Sequence, residues 1–306
     1  SGIIGNQLIK KINNNYKVFV IDKQILKSKK KNLNYKKINL SKLKKYKDII
    51  QKVDVIIYLI GIKGGQQSID LNNLEKYIKY NFEIMVNFLS NYNSNKVKKI
   101  IFASTEHVYG DNDISNKDCT RKEPSPKNYY GFSKLLSEKY LFDFFKKRFV
   151  NVDILRFPRV VSIKEDGIIS QFIKKINLGK KIKFNKNKTK FNFIFIDDLI
   201  DAILLSINQI NSNFRILNIF NDSKAVSLSS IAKTIESKIG KKAKISFIEK
   251  DSIDHNPYLL NISNKLAKKS LGWKPKVSFE KIVDKHRNSE IWESSLNNKW
   301  SLKYSI

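Results

Sequence analysis

The stretch that decides the fold is IIFASTEHVYG, which runs from Ile100 to Gly110. Its first part is continuously apolar, and its second part carries hydroxyl groups, a carboxylate and a histidine. This pattern predicts a buried parallel strand whose carboxyl end opens into a loop. In open α/β sheets, ligands bind in the crevice at the carboxyl ends of the strands. We therefore expect Thr105 and its neighbours to face such a crevice, although a simple turn made by Ser and Thr has the same composition.

A second stretch, NYYGFSK, follows at Asn128 to Lys134. Tyr130 and Lys134 are four positions apart, and on a helix this spacing places both side chains on one face. A free phenol has a pKa of about 10, and a neighbouring ammonium favours the phenolate, so we expect Lys134 to lower the pKa of Tyr130. Such a pair could take a proton from an alcohol or return one to a ketone. The same spacing also fits a solvated helix in a chain rich in Tyr and Lys.

Together, the two stretches resemble sequence boxes of the extended short-chain dehydrogenase/reductase family, the NAD-dependent sugar epimerases and dehydratases. The family's Tyr-Gly-x-Ser-Lys box matches Tyr130 to Lys134, and its Ser-Ser/Thr-x-x-Val-Tyr-Gly box matches Ser104 to Gly110. Its Leu-Gly-Trp-x-Pro turn matches Leu271 to Pro275. The resemblance runs from Gly2 to about Ile282, with these boxes in the family's order.

The resemblance implies three catalytic residues: Thr105, Tyr130 and Lys134. Tyr130 would take the proton of a sugar hydroxyl, and Thr105 would hydrogen-bond the same oxygen. Lys134 would hold the nicotinamide ribose, with Asn81 helping to position it. A helix-surface asparagine is the alternative for Asn81.

The amino-terminal segment fits a dinucleotide site. Gly2 and Gly5 precede a helical pattern and look like the last two glycines of a Gly-x-x-Gly-x-x-Gly loop, in which backbone N–H groups approach a pyrophosphate. A short apolar strand ends in Asp22, where a dinucleotide fold places the carboxylate that binds the adenosine ribose. This carboxylate favours NAD over NADP as the cofactor. The resemblance also places Gly61 along the cofactor. The alternatives are a helix-start turn for the glycines and a solvated strand end for Asp22.

The family pattern also contains a strand and another glycine ahead of Gly2. We therefore expect the natural protein to begin about ten residues earlier, given the short strands usual in such sheets. We expect Ser1 to lie beside the central strands, with a strand-wide gap between the Val18–Ile21 and Val55–Ile60 strands. Direct pairing of those two strands would contradict this expectation.

Substrate contacts are implied by the resemblance at Thr105, Glu106, His107 and Arg159, with a nucleotide-diphosphate sugar as the substrate. The family's 4,6-dehydratases commonly carry Thr-Asp-Glu where this chain has Thr105-Glu106-His107. Glu106 could serve as the acid, but His107 departs from the usual Glu. Arg159 stands where many members carry Asn, and it could bind a phosphate or carboxylate, or it could simply be exposed. We therefore favour an epimerase, or a reductase or dehydrogenase of the same class, over a dehydratase.

The alternation of strands and helices predicts an α/β fold: a doubly wound parallel sheet of the Rossmann type with a smaller C-terminal substrate-binding domain. We assign residues 1–157 and about 190–222 to the NAD-binding domain. Residues of about 158–189 and 223–306 are assigned to the substrate-binding domain. Asp197 and Asp198 are expected to cap a helix and to fix the junction between the two domains.

Composition limits the remaining classes. The chain has 306 residues, of which 41% are hydrophobic and 28% charged, so it is globular rather than disordered. The net charge of +31 raises nucleic acid as a partner. The lysines are scattered, however, and no basic cluster is interleaved with aromatic residues, so we expect no specific nucleic-acid partner. A positive field would still attract an anionic nucleotide sugar.

The compartment and the assembly follow from weaker signals. The single cysteine, Cys119, excludes an internal disulfide and suits a reducing compartment, so we expect a cytoplasmic protein. No apolar run is long enough to span a membrane, and no metal-ligand spacing occurs in the sequence. The oligomeric state stays open, with a homodimer as one candidate. A non-catalytic dinucleotide-binding or interaction protein on the same fold is the rival from another class.

Overall fold

The computed structural model describes residues 2–24, 32–37, 47–90, 92, 96–111, 123–163, 167–185, 190–211, 213–248 and 262–289. Ser1 and Cys119 lie outside the described residues. The strands are β1 (Val18–Asp22), β2 (Leu33–Lys37), β3 (Val55–Tyr58), β4 (Lys99–Thr105), β5 (Asn151–Phe157), β6 (Arg159–Val161), β7 (Ile182–Asn185), β8 (Lys190–Phe191), β9 (Phe193–Phe195), β10 (Phe214–Asn218), β11 (Val226–Ser227) and β12 (Ile245–Ile248).

The helices alternate with these strands. They are α1 (Ile3–Lys11), α2 (Lys47–Ile50), α3 (Leu74–Ile78), α4 (Ile84–Ser90), α5 (Tyr129–Arg148), α6 (Ile168–Asn177), α7 (Ile196–Ile207), α8 (Leu228–Ile239), α9 (Lys265–Leu271) and α10 (Phe279–Arg287). Short 3₁₀ turns occur at Gln66–Ile69, Leu71–Asn73 and Glu106–Tyr109, and a single π turn, Lys79–Glu83, joins α3 to α4. None of the helices in the described parts of the chain is long and apolar enough to cross a membrane. The cytoplasmic location stays a prediction.

The central sheet has four parallel strands in the order β10-β5-β4-β3. Its side chains alternate between two faces, as the pleat requires. On β4, Ile100 packs in an apolar cluster with Leu141 and Phe144 of α5, whereas Ile101 packs in a second cluster with Leu199 and other residues of α7. Helices therefore cover both faces of a parallel sheet, and the predicted doubly wound α/β fold is confirmed.

A second, two-stranded parallel sheet is formed by β1 and β2. Among the described residues, β1 pairs with β2 alone, and the four-stranded sheet ends at β3. The direct pairing of β1 with β3 that would have contradicted the expected gap is therefore not seen in this part of the chain. What precedes Ser1 stays a prediction.

The segment after β5 forms small paired units. Strands β6 and β9 pair in parallel, as do β7 and β12, while β8 and β11 pair antiparallel. One buried apolar cluster contains Leu155 of the central sheet as well as Ile173 of α6 and Ile282 of α10, so the two predicted domains share a core. The predicted domain boundaries stay a prediction.

The junction around α7 corrects one expectation. Asp197 and Asp198 do not cap this helix, because Phe195 is the residue at the capping position and both carboxylates lie in the first turn. Asp197 instead accepts a hydrogen bond of 2.6 Å from Gln7 of α1. Asp198 accepts one of 3.0 Å from the backbone N–H of Val277, and the indole of Trp273 donates to its carbonyl oxygen at 2.9 Å. The two aspartates thus tie α7 to distant segments.

Candidate functional site

Tyr130 lies in the first turn of α5. The helix begins here because Asn128 is extended and its side-chain oxygen accepts a 2.8 Å hydrogen bond from the backbone N–H of Gly131, which satisfies one of the free donors at the helix start. The ring of Tyr130 packs edge-on against His107 at 5.4 Å between centroids and beside Tyr77 at 6.3 Å. These contacts hold the phenol over the carboxyl end of β4.

The backbone at Gly64 approaches this ring closely. A Cβ atom at Gly64 would lie 2.7 Å from Cδ1 of Tyr130, a distance that real side chains do not tolerate. The loop after β3 therefore runs directly against Tyr130, and it can do so because residue 64 carries no side chain.

Lys134 follows one turn later on the same face of α5 and is almost fully buried. Its Nζ atom donates a 3.0 Å hydrogen bond to the carbonyl oxygen of Ala103 in β4 and lies 4.9 Å from the centroid of the Phe102 ring. A Cβ atom at Gly61 would approach the same Nζ to 3.1 Å. The ammonium therefore lies between the end of β4 and the loop after β3.

Asn81 connects these elements from inside the π turn. It is fully buried, accepts a 2.7 Å hydrogen bond from the backbone N–H of Ile62 and donates one of 2.9 Å to the hydroxyl of Ser133. Single π turns are frequent at functional sites. A Cβ atom at Gly61 would lie 2.7 Å from Oδ1 of Asn81, so the packing of the protein itself requires glycine at this position.

Thr105 ends β4 and accepts a hydrogen bond of 3.3 Å from the backbone N–H of His107. Its hydroxyl also interacts with the phenol of Tyr130 and favours the phenolate. The structure thus brings Thr105, Tyr130 and Lys134 together at one end of the sheet. The carboxyl ends of parallel strands meet at the same edge of a sheet.

The pKa of Tyr130 differs from the one that the sequence predicted. Burial raises the pKa of Tyr130 to about 12, the charges of Glu106 and Tyr77 add to this increase, and the hydrogen bond from Thr105 opposes it. The predicted lowering of this pKa by Lys134 is therefore wrong for the protein as it stands. The physical reason is that the ammonium is directed to the carbonyl of Ala103, while the phenol is removed from water.

Lys134 is itself perturbed by its surroundings. Burial lowers the pKa of Lys134 to about 8, and the carboxylate of Glu138 acts in the opposite direction. Withdrawing an ammonium from water disfavours its charged form, whereas a nearby negative charge favours it. At neutral pH, Lys134 is therefore mostly protonated.

Glu106 and His107 follow Thr105 in the 3₁₀ turn. Burial raises the pKa of Glu106 to about 8, although Arg159 and the amide of Asn192 oppose the increase. Within the described residues, Oε2 of Glu106 and Nδ2 of Asn192 each lack a hydrogen bond of good geometry. The ring Nδ1 of His107 lies 2.8 Å from the side-chain nitrogen of Asn128. His107 is thereby joined to the helix cap, while one oxygen of Glu106 stays available.

The remaining predicted residues lie on β6, β1 and α1. Arg159 begins β6, and its guanidinium carbon lies 5.2 Å from the centroid of the Phe191 ring. Asp22 ends β1 and accepts a 3.0 Å hydrogen bond from the backbone N–H of Gln24. Gly2 and Gly5 lie at the start of α1, where Gly5 approaches Leu59 after β3.

The described residues fit a dinucleotide in two ways. A Cβ atom at Gly2 would meet no atom within 4 Å, so the start of α1 is open to an incoming group. At Gly61, in contrast, a Cβ atom would fill the space beside Lys134 and Asn81. Gly5 would tolerate a Cβ atom at 3.8 Å from Leu59, so the protein's own packing gives no steric reason for glycine there.

Sequence reasoning missed a buried layer behind this site. Glu138 of α5 and Arg156 of β5 form an ion pair of 2.6 Å, and Ser104 of β4 donates a hydrogen bond to the same carboxylate. The available signal was the spacing of Glu138, four residues after Lys134, which places both on one helix face. Within the described residues, no cluster of three or more His, Cys, Asp or Glu side chains could hold a metal ion.

Comparison with known proteins gives a consistent result. A family model described as the NAD dependent epimerase/dehydratase family matches residues 1–219. The chain is 30% identical to the dTDP-4-dehydro-6-deoxyglucose reductase of Escherichia coli over 70% of this chain and 68% of that protein. It is 26% identical to the UDP-glucuronate 4-epimerase of Thermodesulfobacterium geofontis over 82% of this chain and 77% of that protein.

Two solved structures show the same fold. MoeE5 in complex with UDP-glucose and NAD has a TM-score of 0.82 at 20% identity, over 96% of this chain and 97% of that chain. The UDP-glucuronic acid 4-epimerase from Bacillus cereus, in complex with UDP-glucuronic acid and NAD, has a TM-score of 0.81 at 21% identity, over 95% and 96%. At these identities the similarity shows the fold alone.

Proposed function

This chain belongs to the NAD dependent epimerase/dehydratase family, and on that premise we propose that it is a nucleotide-sugar epimerase with Tyr130 as its acid/base. The family consists of enzymes that use NAD, so the predicted enzyme class and cofactor are confirmed. The observation that carries the proposal is the meeting of Thr105, Tyr130 and Lys134 at the carboxyl end of β4. The relatives include epimerases, dehydratases and reductases, so the reaction itself is the proposed part.

Two observations support NAD binding from the start of α1 to Lys134. The start of α1 is open at Gly2, and Gly61 lies close to Asn81 and Lys134. Backbone N–H groups at Gly2 and Gly5 would hold the pyrophosphate, and Asp22 would bind the adenosine ribose. Lys134 would hold the nicotinamide ribose beside Gly61. When bound, NAD accepts a hydride from a sugar carbon and returns it.

In this proposal, Tyr130 donates the proton to the sugar oxygen and accepts it from the same oxygen. With a pKa raised to about 12, its phenol is protonated at neutral pH in the protein as it stands. It is therefore ready to donate a proton to a ketone oxygen, and accepting a proton requires stabilisation of the phenolate. Thr105 supplies a hydrogen bond that favours the phenolate.

The contacts of His107 support an epimerase over a dehydratase. Removing water from neighbouring sugar carbons needs a second base in addition to the hydride step. His107 stands where the dehydratases of the family commonly carry Glu. Its Nδ1 is bonded to Asn128, and its ring packs against Tyr130. These contacts suit a positioning role better than that of a base directed at the substrate.

Glu106 supports a dehydratase as the second candidate function. Its carboxyl group is buried, has an oxygen without a hydrogen bond among the described residues, and has a pKa of about 8. A neutral carboxylic acid beside Tyr130 could protonate a leaving hydroxyl group. The two candidates therefore differ in the use of Glu106.

We assign a nucleotide-diphosphate sugar as the substrate class. Arg159, close enough to Glu106 to lower its pKa, offers a guanidinium for a phosphate or a sugar carboxylate. The net charge of +31 would attract such anions to the protein.

The test is incubation of the NAD-loaded enzyme with UDP-glucose, UDP-glucuronic acid and dTDP-D-glucose in D₂O, with products read by mass spectrometry and NMR. An epimerase should give a product of unchanged mass, because the hydride that leaves is returned. A dehydratase should give a product that has lost water and gained deuterium, because one carbon-bound hydrogen leaves as a proton. Tight NAD binding without conversion of any sugar would favour the non-catalytic rival.

A further inference from the structure

A buried ion pair lies directly behind the site. The Nε atom of Arg156 donates to Oε1 of Glu138 at 3.0 Å, and its terminal nitrogen donates to Oε2 at 2.6 Å. Both side chains are at most 5% exposed. Burial disfavours the charge of Arg156, but the carboxylate of Glu138 more than offsets this and raises the pKa of Arg156 above its usual value. The guanidinium of Arg156 is therefore charged where it meets the carboxyl group of Glu138.

A buried ion pair contributes little net stability to a fold. Removing two charges from water costs several kcal/mol per ion, and well-packed apolar residues at the same positions are often as stable. The pair has, in addition, an arrangement that apolar residues could not provide. The carboxylate of Glu138 also accepts a hydrogen bond from Ser104, so one group joins α5, β4 and β5.

The hydrogen bond between Ser104 and Glu138 affects the residues that contact Lys134 and Tyr130. In β4, Ser104 lies between Ala103, whose carbonyl oxygen accepts the hydrogen bond from Lys134, and Thr105, which interacts with Tyr130. Fixing Ser104 to Glu138 therefore sets the position of the backbone that holds Lys134 and of the hydroxyl that serves Tyr130. A displacement of about 1 Å in such positions can cost on the order of 10²-fold in rate.

The charge of Glu138 acts on the same lysine. Titratable groups on the elements packed around Lys134 include Tyr130 and Glu138 on α5, Glu106 after β4, Arg156 on β5, Tyr77 on α3 and Lys63 in the loop after β3. Among the described residues, Glu138 is the carboxylate that raises the pKa of Lys134 against the effect of burial. The spacing of four residues along α5 places Glu138 one turn beyond Lys134 on the same face.

We propose that Glu138 is a positioning residue, which supplies the buried negative charge for the Lys134 ammonium and, through Ser104, fixes the end of β4 that carries Thr105. The inference rests on the proposed function only for the role of Lys134 and not on the identity of the sugar or its reaction. Arg156 holds the carboxylate in this position from the opposite side.

The charge part of the proposal is tested by the pKa of Lys134 itself. The protein is labelled biosynthetically with [ε-¹³C]lysine, and the signal of Lys134 is assigned by its loss in Lys134→Arg. The signal is then titrated in wild type, in Glu138→Gln and in the double variant Glu138→Gln with Arg156→Met. Asp143→Asn is the matched control, because it removes an exposed carboxylate from the same helix.

In both Glu138 variants we expect the pKa of Lys134 to fall by about one unit or more, since an opposite charge at close range shifts a pKa by roughly 1–3 units. Asp143→Asn should leave it unchanged. The pKa of Lys134 could fall because the charge of Glu138 is lost or because Arg156 is left buried and unpaired. The double variant separates these two explanations, because it removes Arg156 as well but still lacks the negative charge. A wild-type pKa of Lys134 in the double variant would overturn the proposal and leave a merely structural ion pair.

Activity gives the second readout. On whichever sugar is converted, the alkaline limit of kcat/KM should move to lower pH in Glu138→Gln by the same amount as the pKa of Lys134. If no sugar is converted while the pKa shift is observed, the proposed function fails and the inference on Glu138 stands. An unshifted alkaline limit in an active variant would contradict it.

A milder variant covers the case in which Glu138→Gln does not fold. Ser104→Ala removes one hydroxyl and leaves the ion pair in place. We expect it to lower kcat about tenfold or more, given the effect of small misplacements, with little change in thermal stability. The pKa of Lys134 should stay at its wild-type value, since the charge of Glu138 is still present. Wild-type kcat in Ser104→Ala would overturn the positioning of β4.

Discussion

The Nζ atom of Lys134 donates a 3.0 Å hydrogen bond to the carbonyl oxygen of Ala103, and this bond joins helix α5 to the carboxyl end of β4. The ammonium is thus fixed by a backbone dipole, while the phenol of Tyr130 is held by Thr105, Tyr77 and the ring of His107. The two members of the Tyr-x-x-x-Lys pair therefore have separate supports.

Tyr130→Phe should reduce turnover by roughly 10²–10⁴-fold, the usual contribution of a positioned acid/base, because it removes the proton carrier and little packing. NAD affinity and the melting temperature should stay close to wild type. Steady-state kinetics and calorimetric titration give the comparison. Tyr129→Phe removes the same hydroxyl from the preceding residue and should keep full activity. A loss below about tenfold in Tyr130→Phe would place the acid/base elsewhere.

Gly61→Ala should weaken NAD binding and turnover about tenfold or more, since a 1 Å shift of a catalytic group is costly. The added Cβ would lie 2.7 Å from Oδ1 of Asn81 and 3.1 Å from Nζ of Lys134, so one of these groups must move. Gly167→Ala is the matched control, because its Cβ would meet no atom within 4 Å. Fluorescence titration with NAD measures the effect. Equal NAD affinity in Gly61→Ala and Gly167→Ala would show that the loop after β3 can move to accommodate the added Cβ without weakening NAD binding.

Asp22→Ala should narrow the preference for NAD over NADP. A carboxylate at the end of β1 would accept hydrogen bonds from the ribose hydroxyls and repel a 2′-phosphate. Affinities for both dinucleotides in the wild type and in the variant provide the measurement. Asp48→Ala, which removes an acidic residue from α2, should leave the preference unchanged. Tighter binding of NADP by the wild type would show that Asp22 has no such role.

Glu106→Gln should change the pH dependence of stability. The folded protein raises the pKa of Glu106 from 4.5 to about 8, so between these values the folded state keeps a proton that the unfolded chain has lost. Folding therefore becomes less favourable as pH rises through this range, and the cost is complete above pH 8. We expect the variant to match wild type near pH 4 and to exceed it above pH 8, by up to roughly 5 kcal/mol at 1.36 kcal/mol per pKa unit.

Urea unfolding across this pH range tests the expectation for Glu106. Glu123→Gln, which removes an exposed carboxylate, should follow the wild type throughout. A constant difference between Glu106→Gln and wild type at every pH would mean that folding does not shift the pKa of Glu106.

Asp153→Asn should destabilise the protein by about 3–5 kcal/mol, because it leaves buried cations without their partner. Asp153 lies 2.6 Å from Lys99, with both side chains fully buried, and also binds Arg215 at 2.7 Å and Ser206 at 2.5 Å. Asp143→Asn breaks an exposed pair with Lys147 and should cost less than about 0.5 kcal/mol. Denaturant unfolding measures both, and equal losses would contradict the difference in burial.

The strand and the helix that carry the site were predictable from sequence, because the pattern of each lies within a short stretch of residues. The apolar run before Thr105 predicts a buried strand, and β4 ends at Thr105. The spacing of Tyr130 and Lys134 predicts one helix face, and α5 begins at Tyr129. Residues from Leu71 to Ser90 form a succession of 3₁₀, α and π turns, and the π turn contains the buried Asn81. Amphipathic spacing carries no signal for such a change in helical pitch.

By itself, the sequence determined the α/β class, the strand that ends at Thr105 and the helix that carries Tyr130 and Lys134 on one face, because hydrophobic period and side-chain spacing act over a few residues. The tertiary structure alone decided the partners and the charge states. Lys134 meets Ala103 and is countered by Glu138, and Glu138 meets Arg156 from another strand. A pKa depends on removal from water and on charges brought close by folding, and neither is encoded in the neighbouring residues of the chain.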